Sequence, residues 1–297
     1  MAYSRNSMNS MIDTSLFSNA KRVWHPVFRQ LGLLVLVLPG ASLFLIPWLW
    51  MLSTAGKDTA LIWKTPPVWI PPAYHWENFI KAWLQGDFLV YYLNTFYISG
   101  MNVVGILISS VLAAYAFARI RFPGRDILFV VVLSTMMLPR QVTLIPLYMI
   151  FSELGWINTF KPLIVPLFFG DAFSIFLLRQ FFLTISRELD DAALIDGCRR
   201  LGVLFRILLP LTRPALAVVA IFNFTWAWNE FFTPLIYLDS PKLFPITLGL
   251  HRFIGRAQID IQFLMAMTIV STLIPIGIFF LTQRYFIQGI VITGIKG

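Results

Sequence analysis

Charge and sulfur are what this sequence has least of. Of its 297 residues only 12% are charged, roughly half the share of a soluble domain. Meanwhile 58% are hydrophobic, and the mean hydropathy is +0.76. A soluble core of this size cannot bury so much apolar surface, which excludes an ordinary soluble enzyme and implies an integral membrane protein. A single cysteine, Cys198, excludes internal disulfides and thiolate metal clusters. No G-x-x-x-x-G-K-[ST] phosphate loop occurs, so nucleotide hydrolysis would have to take place on another chain. There is also no nucleophile–base constellation and no metal cluster. His25, His75 and His251 stand far apart, in or near loops. A net charge of +9 would point to nucleic acid in a soluble protein. In a membrane chain, basic residues holding loops on the cytoplasmic side explain it without nucleic acid.

What the sequence does have is long apolar runs. About 20 helical residues cross a hydrocarbon core, and six runs qualify: Leu31–Leu52, Tyr91–Ala118, Ile127–Phe151, Leu163–Phe182, Pro214–Leu238 and Phe263–Ile287. The first follows Lys21, Arg22 and Arg29, as a signal peptide would. It is too long for a signal h-region and lacks a small-residue cleavage site, so it is read as a span. Runs one and three contain prolines, which membrane helices tolerate when neighbours re-satisfy the backbone. Residues 1–30 are expected to form a cytoplasmic tail, disordered in its Ser-, Asn- and Met-rich first part, with Met8 and Met11 as alternative starts. Residues 31–297 then form the six-span domain.

Orientation follows from Lys and Arg. Four lie in the tail, three after run two, five after run four and two near the C-terminus, against eight on the opposite side. Both termini and the loop at residues 186–212 are therefore expected on the cytoplasmic side. The long loop Ser53–Val90, with Trp63, Trp69, Trp76 and Trp83, then faces outward. Those aromatics form either an interfacial belt or a receiving surface for a partner or a sugar ring.

Polar residues inside the runs nominate a pathway. In run three, Pro139-Arg140-Gln141 sits half-way along. Either the helix breaks there or Arg140 faces a wet cavity, because a central Arg costs about 2.5–3.5 kcal/mol on insertion scales. Run five carries Asn223, Trp226, Asn229 and Glu230. Helical spacing of 100° puts Asn223, Trp226, Ala227, Glu230 and Pro234 on one stripe. That stripe either lines a cavity or makes helix–helix hydrogen bonds. Asp171 in run four, beside Gly170, is a weaker case of the same kind.

The cytoplasmic loop is the charged island of the chain. Ser186 is the expected N-cap, and Glu188, Asp190 and Asp191 suit the first turns of a helix. Ala192, Ala193, Leu194 and Ile195 continue it, Gly197 permits a tight turn, and Arg199 and Arg200 open a second segment ending at Pro210. On physics alone this is either a docking hairpin or a solvated amphipathic loop.

Its spacing resembles the loop shared by membrane subunits of binding-protein-dependent ABC importers: Glu-Ala-Ala, three residues, Gly, nine residues, Ile, one residue, Leu-Pro. Here the pattern is Asp191-Ala192-Ala193, Gly197, Ile207, Leu209 and Pro210, with Asp in place of Glu. The resemblance covers most of Leu31–Gly297. Tyr92-Leu93-Asn94-Thr95, Thr135-Met136-Met137-Leu138-Pro139, Phe176–Phe182, Trp228-Asn229-Glu230 and the ending Gly294-Ile295-Lys296-Gly297 are similar to the carbohydrate branch, specifically the smaller, six-span permease of the maltose-transporter type.

That resemblance implies an all-α architecture of the type I importer permease. It implies a second, related permease, two ATPase subunits that bind the ATP and Mg, and an extracytoplasmic sugar-binding protein. It assigns ATPase docking to Glu188, Asp190, Asp191, Ala192, Ala193, Asp196, Gly197, Ile207, Leu209 and Pro210. Ile295, Lys296 and Gly297 either reach the ATPase interface or are a frayed end. The expected cargo is a sugar, with a polyol or glycerol phosphate as alternatives. The remote alternative is an ion-coupled secondary transporter using Glu230 and Asp171 as proton carriers, which would leave the docking loop without purpose.

Overall fold

The structure, a computed structural model, describes the backbone at residues 14–254 and 260–294, and side chains within residues 34–283 except at 36, 140 and 255–259. Every regular element among them is helical. Four helical stretches are long and apolar enough to cross a membrane, Val37–Ala55, Phe88–Arg119, Lys161–Thr184 and Ile261–Gln283, and two bent pairs raise the count to six. This agrees with an all-helical membrane fold, although the breaks fall in instructive places.

The first helix, α1 (Thr14–Ala55), starts within the stretch expected to be a disordered tail. Two short helices, α2 (Thr59–Ile62) and α3 (Glu77–Gln85), follow in the loop to α4 (Phe88–Arg119). That loop is more ordered than an interfacial belt requires. Trp69 meets Trp50 edge-on at 4.7 Å, and Trp83 packs against Phe88 and Tyr92 at 6.3 and 5.6 Å. Asn78 donates to the carbonyls of Ala55 and Lys57 at 2.9 and 3.1 Å, tying α3 to the end of α1. Lys57, in the same loop, is buried. Its Nζ lies 3.8 Å from the Trp50 ring centroid and 3.3 Å from Thr54 Oγ1.

The central element is α4, an unbroken helix of 32 residues. Its sequence explains why neighbours crowd against it. Ser99, Gly105, Ser110, Ala114 and Ala118 are buried along its length, and small residues let helices approach closely in lipid, where the hydrophobic effect does not drive association. A Cβ on Gly105 would sit 2.6 Å from the Phe168 ring, so only glycine fits that contact.

Run three divides into α5 (Arg125–Ser134), a 3-10 turn at Thr135–Met137, and α6 (Arg140–Glu153), the two halves meeting at about a right angle (100°). The cause is Pro139: it drives Leu138 into extended backbone, ψ 120°. Of the two readings of this run, the break is what the backbone shows, while the Arg140 side chain lies outside the described residues. Run four is α7 (Lys161–Ile164), a 3-10 turn at Val165–Phe169, and α8 (Ala172–Thr184). Gly170, at φ +115°, makes the join. Asp171 caps α8 by accepting from Ser174 N–H and Oγ at 2.8 and 2.6 Å.

Within the loop at residues 186–212 comes α9 (Glu188–Ile195). A second helical segment follows, consisting of α10 (Arg200–Val203), a π-turn at Leu204–Leu208 and α11 (Leu209–Leu211). The chain turns by 79° at Thr212 into α12 (Arg213–Asn229). It continues through α13 (Phe232–Tyr237), a 3-10 turn at Pro241–Leu243, α14 (Ile246–His251) and α15 (Ile261–Gly294). Run five therefore ends earlier than its hydropathy indicates. Pro234 has no N–H for the carbonyl of Glu230, four residues back, so α12 stops. The Thr247 hydroxyl donates to that carbonyl instead, at 2.8 Å.

Candidate functional site: a tethered hairpin and an aromatic cavity

Two features lie at different places on α4. The first is the hairpin of α9 and the Arg200–Leu211 segment. Gly197 forms its turn at φ +81°, a conformation that L side chains disfavour by about 1–2 kcal/mol. Around that turn, Gly197 N–H and Cys198 N–H donate to Leu194 O and Ala193 O at 3.1 and 2.9 Å, a C-terminal closure of α9. Ser186 accepts from Glu188 N–H at 3.3 Å, yet Arg187 occupies the N-cap position, so the helix starts one residue later than a Ser186 cap predicts.

Three ties hold the hairpin to the last turns of α4, and a fourth joins the end of α4 to the end of α8. Arg119 Nε lies 3.1 Å from Asp190 Oδ2, with 4% and 14% of the two side chains exposed. The same guanidinium donates to Ile185 O at 2.9 Å. Tyr115 OH donates to Arg200 O at 2.8 Å, and Arg187 reaches Ala118 O at 3.3 Å. Burial pushes the Asp190 carboxyl above its usual value; Arg119 opposes this, Asp191 adds to it, and Arg187 pulls back.

The docking residues named from the motif thus separate into three groups. Glu188, Asp191, Ala192, Asp196, Gly197 and Pro210 are exposed. Ala193 is buried, and Ile207 and Leu209 pack against the core cluster of Val203, Leu204 and Leu208, so they shape the hairpin from inside. Asp190 turns inward to Arg119. The second segment also runs past Pro210 to Leu211. Sequence reasoning missed the outward apolar residues: Leu189, Leu194, Ile195, Leu201 and Phe205 are all exposed, Ile195 by 85%. Exposed apolar side chains of this size, scattered among exposed acids and arginines, leave apolar surface that water covers poorly. The terminal residues Ile295, Lys296 and Gly297 lie outside the described residues.

The second feature is a cavity of about 780 Å³. Thr95, Ile98 and Asn102 of α4 form one wall. Gln141, Thr143, Leu147 and Phe151 of α6 form another, extended by Trp156 and Phe169. Trp226, Ala227, Glu230, Thr233, Pro234 and Tyr237 close the third. Apolar and aromatic walls with a few polar groups are the usual make-up of a ligand cavity. Of the expected stripe, Trp226, Ala227, Glu230 and Pro234 reach this space. Asn223 does not line it. Its amide donates to Ser174 Oγ at 3.1 Å and Val219 O at 2.9 Å, so it joins α12 to α8.

Glu230 has a double role in this geometry. Its Oε1 accepts from Thr233 N–H and Oγ1 at 3.0 and 3.1 Å, capping α13, while the residue borders both the cavity and a shallower recess with Asn229. Asn229 donates to Thr225 O at 2.7 Å. Asp171, the α8 cap, is absent from the cavity lining. The Asn94–Thr95 pair braces the far rim. Asn94 donates to Lys242 O and Phe244 O at 2.9 and 3.0 Å, and Thr95 Oγ1 accepts from Ile246 N–H at 2.8 Å. No cluster of three or more His, Cys, Asp or Glu able to hold a metal occurs among the described residues.

Comparison with known proteins gives the family. Residues 105–292 match the family described as binding-protein-dependent transport system inner membrane component. The chain is 38% identical over 253 residues to the probable ABC transporter permease protein YurM of Bacillus subtilis, an alignment covering 84% of this chain and 83% of that one. It is 36% identical over 223 residues to the arabinooligosaccharides transport system permease protein AraQ of Halalkalibacterium halodurans, covering 74% and 79%. In fold it is similar to a bacterial ABC transporter that imports the acidic polysaccharide alginate, with TM-score 0.76 and 23% identity over 90% of this chain and 98% of that one. The chain belongs to the family of binding-protein-dependent inner membrane components: it is a non-catalytic permease subunit of an ABC importer.

Proposed function

We propose that this subunit forms half of a sugar pathway across the cytoplasmic membrane of a prokaryote. Both of its termini and its hairpin lie inside. A second, related permease supplies the other half, and two ATPase subunits bind the ATP and Mg. An extracytoplasmic binding protein delivers the sugar. The observation that carries the reading is the hairpin, which exposes Leu189, Leu194, Ile195, Leu201 and Phe205 while three polar ties fix its base to α4. A hairpin that exposes apolar side chains and is anchored at its base suits a partner that pushes on it.

A sugar is favoured as cargo by the cavity wall. Trp226, Tyr237, Phe151 and Trp156 line it with aromatic rings, and Gln141, Thr143 and Glu230 add polar groups. The test is to purify the tagged chain with its partners in mild detergent, identify the co-eluting ATPase and binding protein, and measure which solute stimulates hydrolysis and ATP-dependent uptake in proteoliposomes. Stimulation by one or more sugars is expected. Stimulation by glycerol phosphate or a polyol alone would replace the cargo and keep the machine. Uptake by this chain alone on a proton gradient would overturn both.

A further inference from the structure

We propose that the Arg119–Asp190 pair is the joint through which movement of the hairpin enters α4, and so reaches the cavity wall. This rests on the docking reading above and concerns what happens after docking. Asp190 sits in the acidic first turn of α9, but unlike its exposed neighbours Glu188 and Asp191 it faces inward. It is poorly placed to meet another chain. Its partner Arg119 is the last residue of α4, and one guanidinium holds three elements: the end of α4, the end of α8 at Ile185, and the start of α9. One turn earlier, Tyr115 holds the hairpin beyond its Gly197 turn, through Arg200 O. Both arms are therefore fastened to the same helix end.

What α4 then does follows from its shape. It is continuous over Phe88–Arg119, and Thr95, Ile98 and Asn102 on it line the cavity. At 1.5 Å per residue these lie about 25–36 Å from Arg119. A packed helix without a break moves as a rod. The covalent route from hairpin to cavity is different: the chain turns by 79° at Thr212 before α12 begins, a corner that can absorb displacement. Between the two routes, α4 is the stiff one. A paired charge suits the joint, because in a poorly solvated site the attraction is less screened than in water, and losing one partner strands the other.

The test is a charge swap in the assembled importer. R119E, D190R and the double variant R119E/D190R are co-expressed with the partner chains. Recovered ATPase subunits and ATP hydrolysed per sugar imported are then measured. Each single variant is expected to recover ATPase as the wild type does but to spend about tenfold more ATP per sugar, with the double variant restoring most of the coupling, as contacting charges in a double-mutant cycle do. Loss of ATPase recovery in the single variants would make the pair a docking contact and overturn the joint. So would wild-type coupling in the singles, or a double variant no better than either. If the reversals do not accumulate in the membrane, D190N, which keeps the shape, must show the same rise in ATP per sugar or the joint is refuted. I195D on the exposed face separates the two levels. If it leaves ATPase recovery intact, the docking reading fails; if it abolishes recovery while the pair variants couple normally, the joint alone fails.

Discussion

The two features on α4 are built on opposite plans. At the hairpin the residues that matter are contiguous: the acids, the small residues, the turn glycine and the outward apolar side chains all fall between Glu188 and Leu211. At the cavity they come from segments as far apart as Thr95, Gln141, Phe169 and Glu230. The hairpin is also tied at its base by polar contacts and exposes charged and apolar side chains side by side, whereas the cavity is mostly apolar with polar groups at single points. A docking surface needs a fixed shape offered to a partner, and local sequence can specify that. A pathway must be bounded by several helices that move relative to each other, and no short segment can specify that.

The sharpest way to break this contrast is at the hairpin turn. A Cβ at Gly197 would meet no atom within 4 Å, so G197D adds bulk and charge to the proposed docking surface at a strain cost of about 1–2 kcal/mol. Expected is near-normal accumulation in the membrane with uptake and ATPase recovery lost together, by tenfold or more on the order of a 1.4 kcal/mol change. Uptake and recovery are read by transport assay and pull-down; normal values for both would show that the tip touches nothing.

At the cavity the expected effects are smaller. E230A removes the cap on α13, worth about 1 kcal/mol, and one polar group of the wall. Uptake is expected to fall several-fold, with a changed order of preference among sugars. Equal reduction for every sugar at reduced protein level would leave Glu230 only its capping role. N223A should do less. Its bond to Ser174 joins two helices, and such bonds in membranes average about 0.6 kcal/mol. A slightly lowered melting temperature with unchanged sugar preference is expected, and a preference shift would return Asn223 to the pathway.

The smallest effect belongs to Lys57. Burial pushes its ammonium below the usual lysine value, and no carboxylate pairs with it among the described residues. A lysine whose pKa is depressed on folding opposes folding while protonated. Stability therefore rises with pH as the pH climbs from the folded toward the unfolded lysine pKa. K57M keeps the stem against Trp50 and removes the charge. It should leave the melting temperature at neutral pH unchanged or slightly raised, and it should flatten that alkaline rise.

Much of this molecule was readable in advance, and the reasons differ by element. Six apolar runs gave the helical membrane fold because length and hydropathy are local. A break at Pro139 was one of two readings for the same reason, since a proline acts on its immediate neighbours. The end of α12 was harder: Pro234 acts on Glu230 four residues earlier, and the apolar run continues past the break. Asp190 was assigned outward with its neighbours because sequence cannot say which side of a short helix meets Arg119, 71 residues away. The stripe through Trp226 and Glu230 was sound for the cavity, yet Asn223 left it to reach Ser174. Thr95, Gln141, Thr143 and Phe169 gave no local sign of a shared space.

The central claim is that a separate motor pushes on the hairpin tip. The most direct measurement replaces Cys198 with serine, introduces a photo-crosslinking side chain at Ile195, and irradiates membranes containing the assembled importer. The account predicts one dominant cross-link, to the ATPase subunit, whose yield changes when ATP is bound. Cross-links to lipid alone, or a yield indifferent to the presence of the ATPase, would contradict it.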